Sequence, residues 1–143
     1  MKIYNYKIKR EFVRDIADKK VGRPSEAAIV ARESIDFERD QEHLIVMFLN
    51  GRMQIKGSFI ASIGSLDASI VHPRDIFKSA ILASASTIII AHNHPSGDPT
   101  PSMADIQITK RIKDCGTLMG IQLIDSIIVT ETDSYSMKEH GNM

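Results

Sequence analysis

Leu44-Ile45-Val46-Met47-Phe48-Leu49 sets six apolar residues in unbroken succession, directly after Glu42-His43. Successive side chains of a strand point to opposite faces, so a strand here is apolar on both sides. Such a strand has to be covered twice, by helices above and below its sheet. Asn50-Gly51 follows at once, a type I′ hairpin dipeptide because both residues accept positive φ cheaply. A second strand through Met53 and Ile55 then returns antiparallel, and the sheet is expected to be mixed. These two features call for an α/β domain with three layers.

The rest of the chain supplies the parts. Residues 2–10 mix Ile3, Tyr4, Tyr6 and Ile8 with polar neighbours and predict an edge strand. Residues 11–23 are polar and suit a loop. Residues 1–23 are thus expected as an extension, with the domain proper over 24–143. Pro24 stands where a helix can begin, and Ser25 to Val30 predict a helix over 24–34. Residues 60–69 read as a loop or strand end. Ile76, Phe77, Ala80, Ile81 and Ala83 recur at helical spacing and predict a helix over 73–84, ended by Ala85-Ser86. Thr87 to Ala91 is a β-branched run, expected as a buried strand. Residues 92–101 follow as a stiff loop with three prolines and one glycine in ten residues. Ser102 caps a helix running through Ile106, Ile108, Thr109, Ile112 and Cys115, which Gly116 or Gly120 terminates. Ile121 to Val129 is the last strong strand, and the tail after Thr130 adds one weak strand or none.

Composition bears on partners. Eighteen basic residues balance eighteen acidic ones, so no net field draws the chain to a polyanion or a membrane. Lys7, Lys9, Arg10 and Arg14 could still form a local basic patch. A single cysteine, Cys115, excludes an intrachain disulfide and a Cys-rich zinc site, and its expected role is a buried small hydrophobe. The opening Met-Lys-Ile-Tyr-Asn-Tyr-Lys has no apolar h-region, and no apolar run reaches ten residues. A cytoplasmic protein that does not enter membranes is the expectation. A hairpin edge over residues 50–60 is where two copies could pair as a homodimer.

The chemistry concentrates in Ala91 to Asp105. Residues i and i+2 of an extended chain point to one side, so the imidazoles of His92 and His94 can converge just past a strand end. Asp105 lies in the first turn of the following helix. There the N-terminal dipole favours its ionised, liganding form. The intervening loop can fold that carboxylate back against the histidines. Two nitrogens and one oxygen leave a fourth tetrahedral position open, as a catalytic zinc requires. Both helix-start residues also have plainer roles. Ser102 as a cap is worth about 1 kcal/mol, and Asp105 as a dipole partner about 0.3–1 kcal/mol. A zinc hydrolase also needs a base near its water. Glu42, at the head of the apolar strand, is the first candidate, with Glu38 and Glu33 as rivals and a surface role as the alternative.

His92-x-His94-Pro95 followed by Ser102-x-x-Asp105 resembles the JAMM metalloprotease motif of JAB/MPN domains. The finer likeness is to the RadC family, in His92-Asn93-His94-Pro95-Ser96-Gly97, Pro101-Ser102 and Asp105. It extends from near Pro24 to Val129 and takes in Glu42-His43, Ala68-Ser69 and Val71-His72-Pro73-Arg74. The resemblance implies a three-layer fold similar to cytidine deaminase and zinc on His92, His94 and Asp105. It implies Glu42 as the water-activating carboxylate and Ser102 as the oxyanion donor. A zinc-dependent hydrolase of peptide or isopeptide bonds follows, acting on a protein or peptide substrate. RadC-like proteins are commonly labelled as DNA repair proteins, and full-length members bear a helix-hairpin-helix-like region, for which there is no room before residue 24. Asp125-Ser126 also stands where the family usually has Asp-His.

Around the motif, Asn93 and Ser96 are expected to shape the loop through side-chain to backbone bonds, Pro95 to hold His94 still, and Gly97 to permit a turn. Asp98 is expected as an exposed turn residue, and His72 as a helix-start or supporting residue. Two other functions compete with hydrolysis. One is a DNA-associated repair accessory or nuclease, and the other a non-catalytic interaction module.

Overall fold

The computed structural model describes residues 1–4, 20–37, 40–66 and 71–143. Lys7, Lys9, Arg10, Arg14, Glu38, Ala68-Ser69 and most of the expected strand over 2–10 lie outside the described residues. Residues 1–4 have no regular structure.

Among the described residues there are five strands and three helices, the strands forming one mixed sheet. The strands are β1 (His43–Leu49), β2 (Ile55–Ile63), β3 (Thr87–Asn93), β4 (Gln122–Val129) and β5 (Ser134–Ser136), in the spatial order β2-β1-β3-β4-β5. Only β3 and β4 run parallel; the other pairings are antiparallel. Three helices cover the sheet: α1 (Pro24–Ser34), α2 (Pro73–Leu82) and α3 (Met103–Met119).

All seven residues of β1 are buried, and the strand feeds two cores at once. Leu44, Val46 and Phe48 pack with Ile76, Phe77 and Ala80 of α2 and with Ile108 and Ile112 of α3. Ile45, Met47 and Leu49 pack with Ala27, Ala28, Val30 and Ala31 of α1. The α1 layer therefore lies on one face and the α2/α3 layer on the other, as the double-faced strand demands. Each fully buried Leu or Ile contributes about 1.5–3 kcal/mol, so β1 is the main stabiliser of both layers. Cys115 packs against the α2/α3 core.

Two expectations are corrected. The hairpin is antiparallel as expected, but its turn is not type I′. The left-handed residue is Met53 (φ 61°), and Gly51 has no positive φ. Met53 N–H bonds to Asn50 O at 3.0 Å, and the Asn50 side-chain oxygen accepts from Arg52 N and Gln54 N. A turn closed this way with a left-handed residue after it is the three-residue loop geometry; Asn50 drives it by capping backbone N–H groups. The second correction concerns β3, which does not stop at Ala91. It continues through His92 and Asn93, because β4 pairs with both (His92↔Ile128, Asn93↔Val129) and β1 pairs with His92.

Other boundaries fall where expected. Helix α3 ends at Gly120, which takes the left-handed C-cap position (φ 70°); Gly116 lies inside the helix. At Gly116 an added Cβ would stand 2.5 Å from Ile121 O, so α3 closes onto the start of β4 without room for a side chain. The weak tail strand is β5, held by Asp125. That buried carboxylate accepts from Ser136 Oγ at 2.6 Å, Ser126 N at 2.7 Å and Lys138 N at 3.1 Å. Strand β2 is the edge that the homodimer expectation requires. Among the described residues no helix is long and apolar enough to cross a membrane.

Candidate metal centre

Parallel strands β3 and β4 are joined by α3, so the carboxyl end of β3 faces the start of α3. Open α/β sheets bind ligands at this end. His92 is the last residue of β3 facing the α2/α3 layer, in line with Ile88 and Ile90. His94 follows two residues on, its N–H bonded to Val129 O at 3.0 Å. The loop then turns tightly. Gly97 adopts φ 83°, and its N–H bonds to His94 O at 3.1 Å. The Asp98 carboxylate accepts Thr100 N at 2.9 Å, and Ser96 Oγ accepts Asp98 N at 3.4 Å. Ser96 is thus a loop-shaping residue and Asp98 an exposed turn residue, as read from the sequence.

His94 Nδ1 lies 2.8 Å from Asp98 O. A carbonyl only accepts, so Nδ1 carries the proton and Nε2 keeps its lone pair for a ligand. Ser102 caps α3 reciprocally. Its Oγ accepts Asp105 N at 3.1 Å, while Asp105 Oδ2 accepts Ser102 N at 2.7 Å. The cap holds the Asp105 carboxylate against the two histidines.

The three side chains meet. His92 Nε2 lies 3.1 Å from His94 Nε2 and 3.2 Å from Asp105 Oδ1, and His94 Nε2 lies 3.3 Å from Asp105 Oδ2. The His92–His94 separation is close to the edge of about 3.3 Å in a tetrahedron with ligand bonds of about 2.0 Å; the two contacts to Asp105 run to different carboxylate oxygens, and one ligand atom from each of the three residues lies within 4.8 Å of the others. Two imidazole lone pairs and a carboxylate at this spacing repel unless ring protons or a metal cation lie among them. Among the described residues, His92, His94 and Asp105 form a group that can hold a metal ion, with His92 and Asp105 buried and His94 half-buried.

The electrostatics agree. Burial pushes the Asp105 carboxyl up, but hydrogen bonds from His92 and His94, the charge of His92 and the Ser102 N–H outweigh it. The carboxyl is held well below the usual carboxylate range. His94 is raised above its ordinary 6.5, first by its hydrogen bond to Asp105, against the lowering effect of burial. The Asp98 carbonyl and the charges of Asp105 and Glu42 raise it further. Metal binding requires neutral imidazole. Metal affinity is therefore expected to fall as pH drops through the raised His94 value and to level off above it. Calorimetry in buffers of different ionisation enthalpy should show proton release on binding below that value. In the metal-free chain the linkage has the opposite sense. The protonated His94–Asp105 pair stabilises the fold below about pH 6.5, and that contribution is lost as pH rises through the raised value.

Glu42 sits just before β1. Its Oε2 accepts Leu66 N at 2.8 Å, and its backbone carbonyl accepts Gly64 N at 2.8 Å. Its charge registers at His94. Glu33 is exposed on α1, in the layer opposite α3. Ser102 is exposed at the helix start beside Asp105. Its oxygen accepts from Asp105 N, which leaves the O–H available to donate. Ser126 takes a bond from Thr109 Oγ1 at 2.9 Å. With Thr109, His92 and Asp105 it borders a cavity of about 10 Å³. His72 is the N-cap position of α2, without a side-chain cap bond.

Two features escaped the sequence. Asn93 does not shape its own loop; its amide bonds back to β1 at His43 N and Gln41 O. The sign was a polar residue between two ligands, pointing to the other face of a buried strand. The second is a cleft of about 350 Å³ beside His94, lined among others by Phe37, Asp40, Pro95, Thr130 and Glu131. Arg32 braces its wall from α1, donating through Nε to Thr130 O at 2.8 Å and through Nη2 to Asp133 O at 2.6 Å.

Comparison with known proteins places this arrangement. A family model described as the RadC-like JAB domain matches residues 21–142. A UPF0758 protein of Geobacillus thermodenitrificans is 47% identical over 118 residues, covering 82% of this chain and 52% of that protein. One from Clostridium botulinum is 49% identical over 124 residues, covering 87% of this chain and 54% of that protein. UPF0758 protein YsxA of Bacillus subtilis is 44% identical over 118 residues, covering 82% and 51%. The chain spans about half the length of the curated relatives it matches. The family model takes in the whole sheet, all three helices and the His-His-Asp group, and on that ground the chain belongs to the RadC-like JAB domain family.

Proposed function

We propose that this chain is a zinc-dependent hydrolase of peptide or isopeptide bonds. The observation that carries this reading is the convergence of His92, His94 and Asp105, whose donor atoms lie within 4.8 Å of one another, a donor set suited to a tetrahedral ion with three protein ligands. Zinc held there would polarise the substrate carbonyl and lower the pKa of its water.

The remaining work falls to the chain's own groups. Glu42 takes a proton from the attacking water and delivers it to the amine nitrogen as the C–N bond breaks. The Ser102 O–H donates to the carbonyl oxygen as charge develops there, a bond that matters most in the transition state. The cleft beside His94 receives the residues flanking the scissile bond. Its volume of about 350 Å³ is at the small end of ligand sites, enough for a segment of extended chain. Asp40 and Glu131 on its lining repel phosphate, which favours a polypeptide over a nucleic acid.

The test is Glu42→Gln. The variant is expected to keep zinc within about twofold of the parent. It should lose cleavage of quenched peptides or a lysine-linked isopeptide by roughly 10²–10⁴-fold. Cleavage at the parent rate in this variant, or cleavage that survives chelation of the metal, defeats the reading.

A further inference from the structure

We propose that Asn93 is a positioning residue whose side-chain amide fixes the strand segment bearing Glu42 and so aims that carboxylate at the metal centre. This rests on Glu42 being the proton acceptor.

The β1–β3 ladder ends at Leu44↔His92. Beyond it β3 stays with β4, since His94 N bonds to Val129 O. The His43 N–H and Gln41 C=O are left without a backbone partner on β3. The Asn93 amide takes both, with Oδ1 accepting from His43 N at 2.7 Å and Nδ2 donating to Gln41 O at 2.9 Å. These two groups bracket Glu42. On its other side Glu42 is held by Gly64 N at its carbonyl and Leu66 N at Oε2. Asn93 is 1% exposed. A buried amide is stable only when both its ends are bonded, so the contact is fixed rather than adjustable.

The chemistry of the pair selects the residue. An amide offers one acceptor and one donor at a fixed spacing and so replaces a ladder partner. Ionised aspartate lacks the donor, and serine carries donor and acceptor on one oxygen rather than on two atoms at the amide's spacing. Asn93 also stands between the two histidine ligands, so one residue couples the metal-bearing strand to the base-bearing one. Among the described residues, the other ties of the Gln41–His43 segment run to β2 and to Gly64 and Leu66 just after it.

The experiment uses the full chain loaded with zinc and acetohydroxamic acid as the probe. This probe binds zinc as its anion and releases one proton, which Glu42 accepts. Its affinity is measured for the parent, E42Q, N93A and the double variant. Zinc affinity is measured in parallel against a chromophoric chelator. E42Q is expected to weaken the probe about tenfold or more and N93A about three- to tenfold, with zinc affinity in N93A within about threefold of the parent. The double variant should be no more than about twofold weaker than E42Q, since both changes act through one group.

Parent-like probe affinity in N93A, additive losses in the double variant, or a zinc loss as large as the probe loss each overturn the proposal. If N93A does not fold, N93S takes its place with the same expectations; failure of both to fold assigns Asn93 a purely structural role and overturns it too. Zinc binding with no effect of E42Q removes Glu42 as the acceptor, and this proposal with it. A parent chain that takes up no zinc removes the hydrolase reading itself, a result distinct from any failure of Asn93.

Discussion

Asp105→Asn is expected to fold with α3 intact and to bind zinc at least roughly 100-fold more weakly than the parent chain. The carboxylate does two jobs that this substitution separates. As a cap partner it needs only an oxygen to accept Ser102 N, now at 2.7 Å, and an asparagine oxygen supplies that. As a ligand it needs the negative charge that balances a divalent ion between two neutral imidazoles. Loss of an outer hydrogen-bond partner alone already costs 10–100-fold in metal affinity, by a rough general measure, so loss of a charged ligand exceeds it. Asp105→Ala removes both roles. It should lose zinc equally and in addition about 1 kcal/mol of stability from the broken capping box. Metal analysis after dialysis and thermal melts of the metal-free proteins check the two parts separately. Parent-level zinc in Asp105→Asn would show that the ion is held elsewhere.

Gly116→Ala carries the largest expected stability loss. Alanine normally strengthens a helix interior relative to glycine, by about 1 kcal/mol. Here the sign reverses, because the new Cβ would stand 2.5 Å from Ile121 O and 3.4 Å from both Leu123 N and a Phe77 ring carbon. The nearest of these atoms is backbone of the turn into β4, which cannot rotate aside. Helix α3 must lift from β4, loosening Ile112 and Ile108 in the same core. Overpacking of this kind costs about 1–3 kcal/mol and at times more, so a loss near 3 kcal/mol and a Tm drop of roughly 10 °C are expected. A melting curve unchanged from the parent would mean that the helix–strand contact is looser than this geometry. Gly120→Ala serves as the comparison, since its strain comes from φ alone.

Much of this was legible in the residues. The double-faced run Leu44–Leu49 dictated three layers because an apolar strand has to bury both sides. The convergence of His92, His94 and Asp105 was legible because period-two geometry, a stiff loop and a capped helix start are all local. What was missed lies in contacts between distant segments. The end of β3 depends on its neighbours β1 and β4, so it could not be found from Thr87–Ala91 alone. The hairpin turn depended on Asn50 choosing backbone N–H groups as partners, which left Gly51 without its expected role. Asn93 reaches a residue 50 positions away, and nothing in its own loop announces that. Ser126 stands where the family usually has histidine, and in the structure its hydroxyl is paired with Thr109 on α3.

Arg32 gives the site an unexpected dependence. Its guanidinium reaches across from α1 to hold the carbonyls of Thr130 and Asp133, yet α1 contributes none of the His92, His94 and Asp105 group. The helix seats itself with Ala27, Ala28 and Ala31, all fully buried, and methyl groups leave little slack for repacking. A shift of that helix would drag the lip of the groove with it while the ion stayed put. Choice of what enters the groove can therefore drift through substitutions in the far layer, with the His-His-Asp group left untouched.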